Sequence, residues 1–168
     1  CVNVTDSNII VGAYGVDYSS SRTYTGAVYV YDANDLSAQP TKLTAFDGAK
    51  DDRFGLFLAS TVDKIVVGVK YDDDNGTDSG SVYVFDANDL TAEPTKLTAP
   101  DAAANDQFGS VDVSGDKIVV GAHYDDDNGT DSGSVYVYDA NDLSAQPTKL
   151  TAFDGAEGDR FGHSVAIG

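Results

Sequence analysis

The sequence predicts an all-β fold built from repeated four-stranded antiparallel sheets, and three observations carry that expectation. The chain repeats itself: residues 63–100 match residues 116–153 at an offset of 53 with 6 of 38 positions different, and residues 28–49 recur unchanged as 135–156. Self-similarity on this scale marks a solenoid, propeller or array, in which each unit buries its apolar face against a neighbour. Each unit also holds four short runs of β-branched and aromatic residues, punctuated by Gly, Asn, Asp and Pro. No segment sustains a helical period. Four antiparallel strands per repeat describe a propeller blade.

The third unit shows the elements in order. Its first run, 110–114, follows Phe108-Gly109 and carries small side chains, as a crowded innermost strand requires. The second, 117–122, follows the link Ser114-Gly115-Asp116, short enough for a hairpin. The third, 134–138, reads Ser-Val-Tyr-Val-Tyr. The fourth, 148–152, begins after Pro147 and carries Lys149, as Pro40 precedes Lys42 and Pro94 precedes Lys96. Proline and lysine together blunt an exposed edge strand, so strand order from axis to rim is expected to follow chain order.

Composition narrows the partners. Acidic residues outnumber basic ones 28 to 10, for a net charge of −18. Such a chain is repelled by nucleic acid and anionic lipid, which need clustered Lys and Arg. No run of about 18 apolar residues suggests a bilayer span. Neither nucleic-acid binding nor membrane insertion is therefore expected. The single cysteine, Cys1, allows no intrachain disulfide. Asn3, Asn75 and Asn128 each open an Asn-x-Thr acceptor pattern for N-glycosylation, which tilts the reading mildly towards secretion.

Phe161-Gly162-His163-Ser164-Val165-Ala166-Ile167 and Ile118-Val119-Val120-Gly121-Ala122 resemble the FG-GAP repeat of the integrin α-subunit propeller. Phe54-Gly55, Phe108-Gly109 and Gly12-Ala13 supply further copies in register, so the resemblance covers the whole chain. It implies a seven-bladed β-propeller, frequently extracellular, used for adhesion or ligand recognition. The family's calcium site resembles an EF-hand loop between the FG and GA strands. Here that gap is Thr5-Asp6-Ser7-Asn8, Thr61-Val62-Asp63-Lys64 or Ser114-Gly115-Asp116-Lys117, with no room for alternating ligands. The family's site is not carried over.

Acid clusters instead between the second and third strands, at 72–78 and its copy 125–131. Calcium takes 6–8 oxygen ligands, and alternating Asp with a Gly turn can supply them. Asp72, Asp74 and Asp78, with Asp125, Asp127 and Asp131, are the candidate calcium ligands. The frame is imperfect: Gly76 falls where a ligand belongs and no Glu closes the loop. The competing reading is a solvated turn with Asn-Gly at its corner. The inter-blade segments, such as 154–160, are acidic too and should emerge on the same face.

The first unit departs from its copies. Its equivalent loop is two residues longer and exchanges acids for Tyr14, Tyr18, Arg22 and Tyr24. Tyr and Arg are enriched at interface hot spots, so these four are a candidate binding loop, against the alternative of simple drift. The motif Asp32-Ala33-Asn34-Asp35-Leu36 recurs at 86–90 and 139–143 and reads as Asx turns. His123 replaces Lys70 of the preceding unit, which suggests a tolerant surface position. No catalytic motif singles out a nucleophile or a carboxylate pair.

The units are expected at 1–62, 63–115 and 116–162, with 163–168 as the first strand of a following blade, since residues 2–4 align with 165–167. Three blades do not close a propeller, so they are expected to belong to a larger propeller or to an oligomer. The function expected is a non-catalytic binding or adhesion module, extracellular or at the cell surface. Its partner would be a protein or glycan ligand, or further copies or blades of the same protein. Its alternatives are a repetitive building block of a surface assembly and a propeller attached to a secreted enzyme.

Overall fold

The computed structural model describes residues 1–16 and 23–168. It places twelve strands in three sheets and no helix among the described residues. The first sheet joins β1 (Val2–Val4), β2 (Asn8–Ala13), β3 (Ala27–Asp32) and β4 (Thr41–Leu43). The second joins β5 (Phe57–Ser60), β6 (Lys64–Val69), β7 (Ser81–Asp86) and β8 (Thr95–Leu97). The third joins β9 (Phe108–Ser114), β10 (Lys117–Ala122), β11 (Ser134–Asp139) and β12 (Thr148–Leu150). Within each sheet spatial order follows chain order, and every pairing is antiparallel. The three sheets are blades, and they do not close into a ring.

The period of two along each strand builds a core in each gap between sheets. On β6, Ile65, Val67 and Val69 join Ile10, Val28, Val30 and Leu43 of the first sheet. Val66, between them in sequence, joins Ile118, Val120 and Ala122 of the third. A strand covered on both faces reads as a continuous apolar run, which is why Lys-Ile-Val-Val-Gly recurs.

The Phe-Gly and Gly-Ala pairs weld one blade to the next. Phe54 N donates to Thr25 O (3.0 Å), Phe108 N to Ser79 O (3.0 Å) and Phe161 N to Ser132 O (2.8 Å). The Phe54 ring packs edge-on against Tyr83 at 5.5 Å, and Phe108 against Tyr136 at 5.5 Å. Beside each ring two glycine backbones meet across the gap. A Cβ at Gly12 would lie 2.0 Å from Gly55 O, at Gly68 1.9 Å from Gly109 O, and at Gly121 1.9 Å from Gly162 O. Side chains at these positions would force the blades apart, so the motif is the signature of a backbone-to-backbone contact.

The sheets and the sequence repeat are offset by one strand. β5 pairs with β6 and β9 with β10, so the unit edges at 62/63 and 115/116 fall in hairpin turns inside the second and third sheets. Residues 163–168 carry no sheet ladder. Gly162 still meets Gly121 as described, and Ile167 N donates to Asp112 Oδ2 (2.7 Å).

Candidate functional site

The acidic loops of the second and third blades form one construction, made twice. In the third blade Asp125 is 3% exposed and accepts from Asp127 N (3.1 Å) and Ser134 Oγ (2.9 Å) through Oδ1. Its Oδ2 accepts from Tyr136 OH (3.0 Å) and Lys149 Nζ (2.9 Å). Lys149, on β12, also reaches Asp101 (2.8 Å) and Asp127 (2.5 Å). Asp101 comes from the loop joining the second blade to the third, so the cage bridges a blade junction. The second blade repeats it: Lys96 Nζ lies 2.8 Å from Asp72 and 2.7 Å from Asp47, and also binds Asp74. Ser81 Oγ donates to Asp72 (2.9 Å), and Tyr83 OH donates to Asp47.

The lysines come from the outermost strands, where they were read as solvated guards of an exposed edge. The structure corrects that reading for Lys96 and Lys149 but not for Lys42, which is exposed: the Lys96 side chain is 13% exposed and lies over the Tyr83 ring at 5.2 Å. The cause is cross-strand register. Lys96 pairs with Tyr83, and Lys149 with Tyr136, so each ammonium is delivered to the acidic end of its own blade. Burial alone would lower these lysines, but hydrogen bonds to Asp47, Asp72 and Asp74 outweigh it and hold Lys96 above the ordinary lysine range. Asp101, Asp127 and Tyr136 are the strongest of the partners that do the same for Lys149. Burial pushes the Tyr83 and Tyr136 hydroxyls up, and their carboxylate acceptors push them further.

Of the candidate calcium ligands, Asp72 and Asp74 converge, as do Asp125 and Asp127. Asp78 and Asp131 serve the loop backbone instead. Each has a positive φ, and each donates its N–H (2.7 Å) to the carboxylate of Asp73 or Asp126. Asp101, Asp125 and Asp127 bring ligand oxygens within 4.8 Å of one another, a grouping that can hold a metal ion. The point on which Asp101, Asp125 and Asp127 converge is taken by Lys149 Nζ, so a calcium ion there would have to displace that ammonium.

Among the described residues the first blade lacks the buried Asp–Ser pair of this construction. Gly26 N donates to Val16 O as Gly80 N donates to Asp72 O, so Val16 stands where Asp72 and Asp125 stand. Ala27 stands where Ser81 and Ser134 stand. Both partners of the buried Ser–Asp hydrogen bond are thus replaced by apolar groups together. Of the candidate binding loop, Tyr14 and Tyr24 are 46% and 38% exposed, whereas Tyr18 and Arg22 lie outside the described residues. Of the glycosylation candidates, Asn3 is half-buried in β1, Asn75 is exposed, and Asn128 is exposed with its amide donating to Ala152 O (3.0 Å).

The inter-blade loops close the same face. Asp52 and Asp106, both nearly buried, cap Ala49 N (2.6 Å) and Ala103 N (2.7 Å). Burial, reinforced by neighbouring carboxylates, pushes both up to about 6. The Asx turns expected at Asp32, Asp86 and Asp139 are present, each accepting from the Asn N–H two residues on.

His123 is not a surface residue. It and Lys70, at the same position of successive blades, are 4% and 5% exposed, with Nζ 3.4 Å from Nδ1. Burial and the charge of Lys70 hold His123 down to about 4, and burial lowers Lys70 to about 8. Sequence comparison between units showed the exchange but not that the two positions stack on each other.

A family model described as the FG-GAP repeat matches residues 38–85, 91–138 and 145–168. A search of curated proteins finds no match to the chain.

Proposed function

The chain belongs to the FG-GAP repeat family, and on that premise we propose that it is a non-catalytic binding module of the propeller type, working outside the cell or at its surface. The observation that carries this reading is the loop face of the second and third blades. Asp73, Asp74, Asp126 and Asp127 are exposed there, while Asp72 and Asp125 beneath them are fixed by lysine, serine and tyrosine. A rigid acidic surface of this kind favours a protein or glycan ligand that presents basic groups, and charge complementarity speeds its capture. The same charge disfavours nucleic acid. Among the described residues no helix is long and apolar enough to cross a membrane.

The buried carboxylates support a binding role over catalysis because each is committed to a structural donor. Calcium, as an expected ligand of these loops, enters the reading only in competition with Lys96 and Lys149. Tyr14 and Tyr24 offer a second, uncharged contact on the first blade. The repeated building block of a surface assembly remains the alternative that the near-identity of the units favours.

The test is surface plasmon resonance of the immobilised protein against a lysine-rich peptide, with heparin as an anionic glycan control. The reading expects binding of the peptide that weakens steeply with salt and falls in an Asp73→Asn/Asp126→Asn variant, with none to heparin. Peptide binding indifferent to those substitutions would overturn it.

A further inference from the structure

We propose that Asn75 is a site of spontaneous modification, where the Gly76 nitrogen attacks the side-chain amide and leaves an aspartyl or isoaspartyl residue, while its twin Asn128 is protected by the fold. The two sites share their local sequence: residues 71–84 and 124–137 are identical, and each asparagine precedes a glycine. Glycine carries no side chain to shield the attacking nitrogen. Any difference between the sites therefore comes from the structure around them.

The two loops have the same backbone. Gly76 N donates to Asp73 O and Gly129 N to Asp126 O, each at 3.1 Å. Each loop leans on the segment that leads out of its blade. Asn105 N donates to Thr77 O (2.7 Å) and Gly158 N to Thr130 O (2.9 Å), while Gln107 N and Arg160 N donate to Asp78 O and Asp131 O, both at 3.0 Å. The asparagine side chains differ. Asn128 Nδ2 donates to Ala152 O at 3.0 Å, whereas the exposed Asn75 amide has no hydrogen-bond partner among the described residues.

One substitution between the repeats accounts for this. Gly155 lies beneath the Asn128 amide, and a Cβ there would come 2.5 Å from Nδ2. At the offset of 53 its counterpart is Ala102, whose methyl packs on the core between the second and third blades. That carbon takes the space a docked amide needs, so the Asn75 side chain is left in solvent.

The chemistry requires only water. A bond forms from Gly76 N to Asn75 Cγ, the Cγ–Nδ2 bond breaks, and the Gly76 proton leaves with the amide as ammonia. Water then opens the cyclic imide at either carbonyl, giving aspartate, or isoaspartate with the main chain routed through Cγ. At Asn128 the bond to Ala152 O keeps Cγ from turning to its glycine. The new carboxylate joins Asp73 and Asp74 on an already acidic loop. The isoaspartyl form adds a main-chain carbon next to Asp74, a carboxylate that Lys96 holds.

Ageing the protein, made without carbohydrate, at mildly alkaline pH and following both sites by peptide mass spectrometry tests the idea. Cleavage after Lys70 and Lys96, and after Lys117 and Lys149, separates the two asparagines. Conversion is expected at Asn75, with Asn128 about fivefold slower, the factor that one net hydrogen bond carries. Exchanging the neighbours should exchange the rates: Gly155→Ala frees Asn128, and Ala102→Gly protects Asn75, with circular dichroism confirming that both variants fold. In urea the two wild-type rates should be equal, because the local sequences are. No conversion at Asn75, equal rates in the folded wild type, unequal rates in urea, or rates that ignore both substitutions would each overturn the proposal.

Discussion

Lys149 Nζ sits 2.9 Å from Asp125 Oδ2, a carboxylate 3% exposed, and lies within 3 Å of Asp101 and Asp127 as well. One ammonium thus answers three carboxylates from two loops of adjoining blades. Lys96 does the same with Asp47, Asp72 and Asp74. Cages of this kind hold the acidic loop face in shape, and they make the lysine of the outermost strand a structural cation.

Replacing Lys149 by Met keeps an aliphatic stem over Tyr136 but leaves Asp125 buried without a counter-ion. The expected loss is about 3 kcal/mol of unfolding free energy, the range for breaking a largely buried pair. Lys117→Met is the control, since Lys117 stands 3.5 Å from Asp116 at the surface and should cost no more than about 0.5 kcal/mol. Urea unfolding of both variants reads the difference. Equal losses would show that the cage carries no special weight.

The first blade suggests a double-mutant cycle. Asp125→Val alone orphans the buried Ser134 hydroxyl, and Ser134→Ala alone removes a donor from Asp125. Made together they reproduce Val16 and Ala27. The two changes are expected to couple, the double variant being more stable than the sum of the singles by about 1 kcal/mol. Strict additivity in thermal or urea unfolding would contradict the reading of that pair as one unit.

The blade junction makes a sharper demand. Gly68→Ala would put a methyl 1.9 Å from Gly109 O, a main-chain atom that cannot step aside. Overpacking of this kind should cost about 3 kcal/mol. Gly15→Ala, with no atom of the described residues within 4 Å, should stay within about 0.5 kcal/mol. Indistinguishable melting temperatures for the two variants would refute the close backbone contact.

The pH dependence follows from the inter-blade caps. Asp106 is pushed up to about 6 in the folded state, mainly by burial, against the ordinary value of 3.8. The folded protein therefore bears a cost for its charge above pH 6. That cost is relieved as pH falls through 6 towards 3.8, so stability from this group rises on acidification. His123, held near 4 against 6.5, acts oppositely: its contribution is intact above pH 6.5 and is lost between 6.5 and 4. Melting temperatures of wild type, Asp106→Asn and His123→Gln from pH 7 to 4 separate the two. Relative to wild type, the Asn variant should lose ground on acidification and the Gln variant should gain it. Parallel profiles would argue against both assignments.

The fold was legible because its determinants are local and repeated. Alternating Val and Tyr, the tight turns at Gly115 and the Phe-Gly pairs each occur in register, and the sheets follow them. The cage was half legible. Clustered Asp residues showed where negative charge collects, and the structure joins Asp72 to Asp74 and Asp125 to Asp127. Their counter-ion was hidden because Lys96 and Lys149 lie 22 residues from Asp74 and Asp127 and are delivered by strand register. The recurrent pairing of Tyr83 with Lys96 and Tyr136 with Lys149 at one spacing was the available signal. His123 misled for a related reason: a substitution between repeats looks like surface drift unless the two positions are known to stack.

The cages are tested most directly by thermal unfolding with and without calcium, on wild type and on a Lys96→Met/Lys149→Met double variant. If the ammonium groups are the resident cations, calcium leaves the wild-type transition in place. In the variant the freed carboxylates bind it, adding about 2.7 kcal/mol at a hundredfold excess over the dissociation constant. A wild type that calcium stabilises as strongly as this, with no larger gain in the variant, would contradict the account.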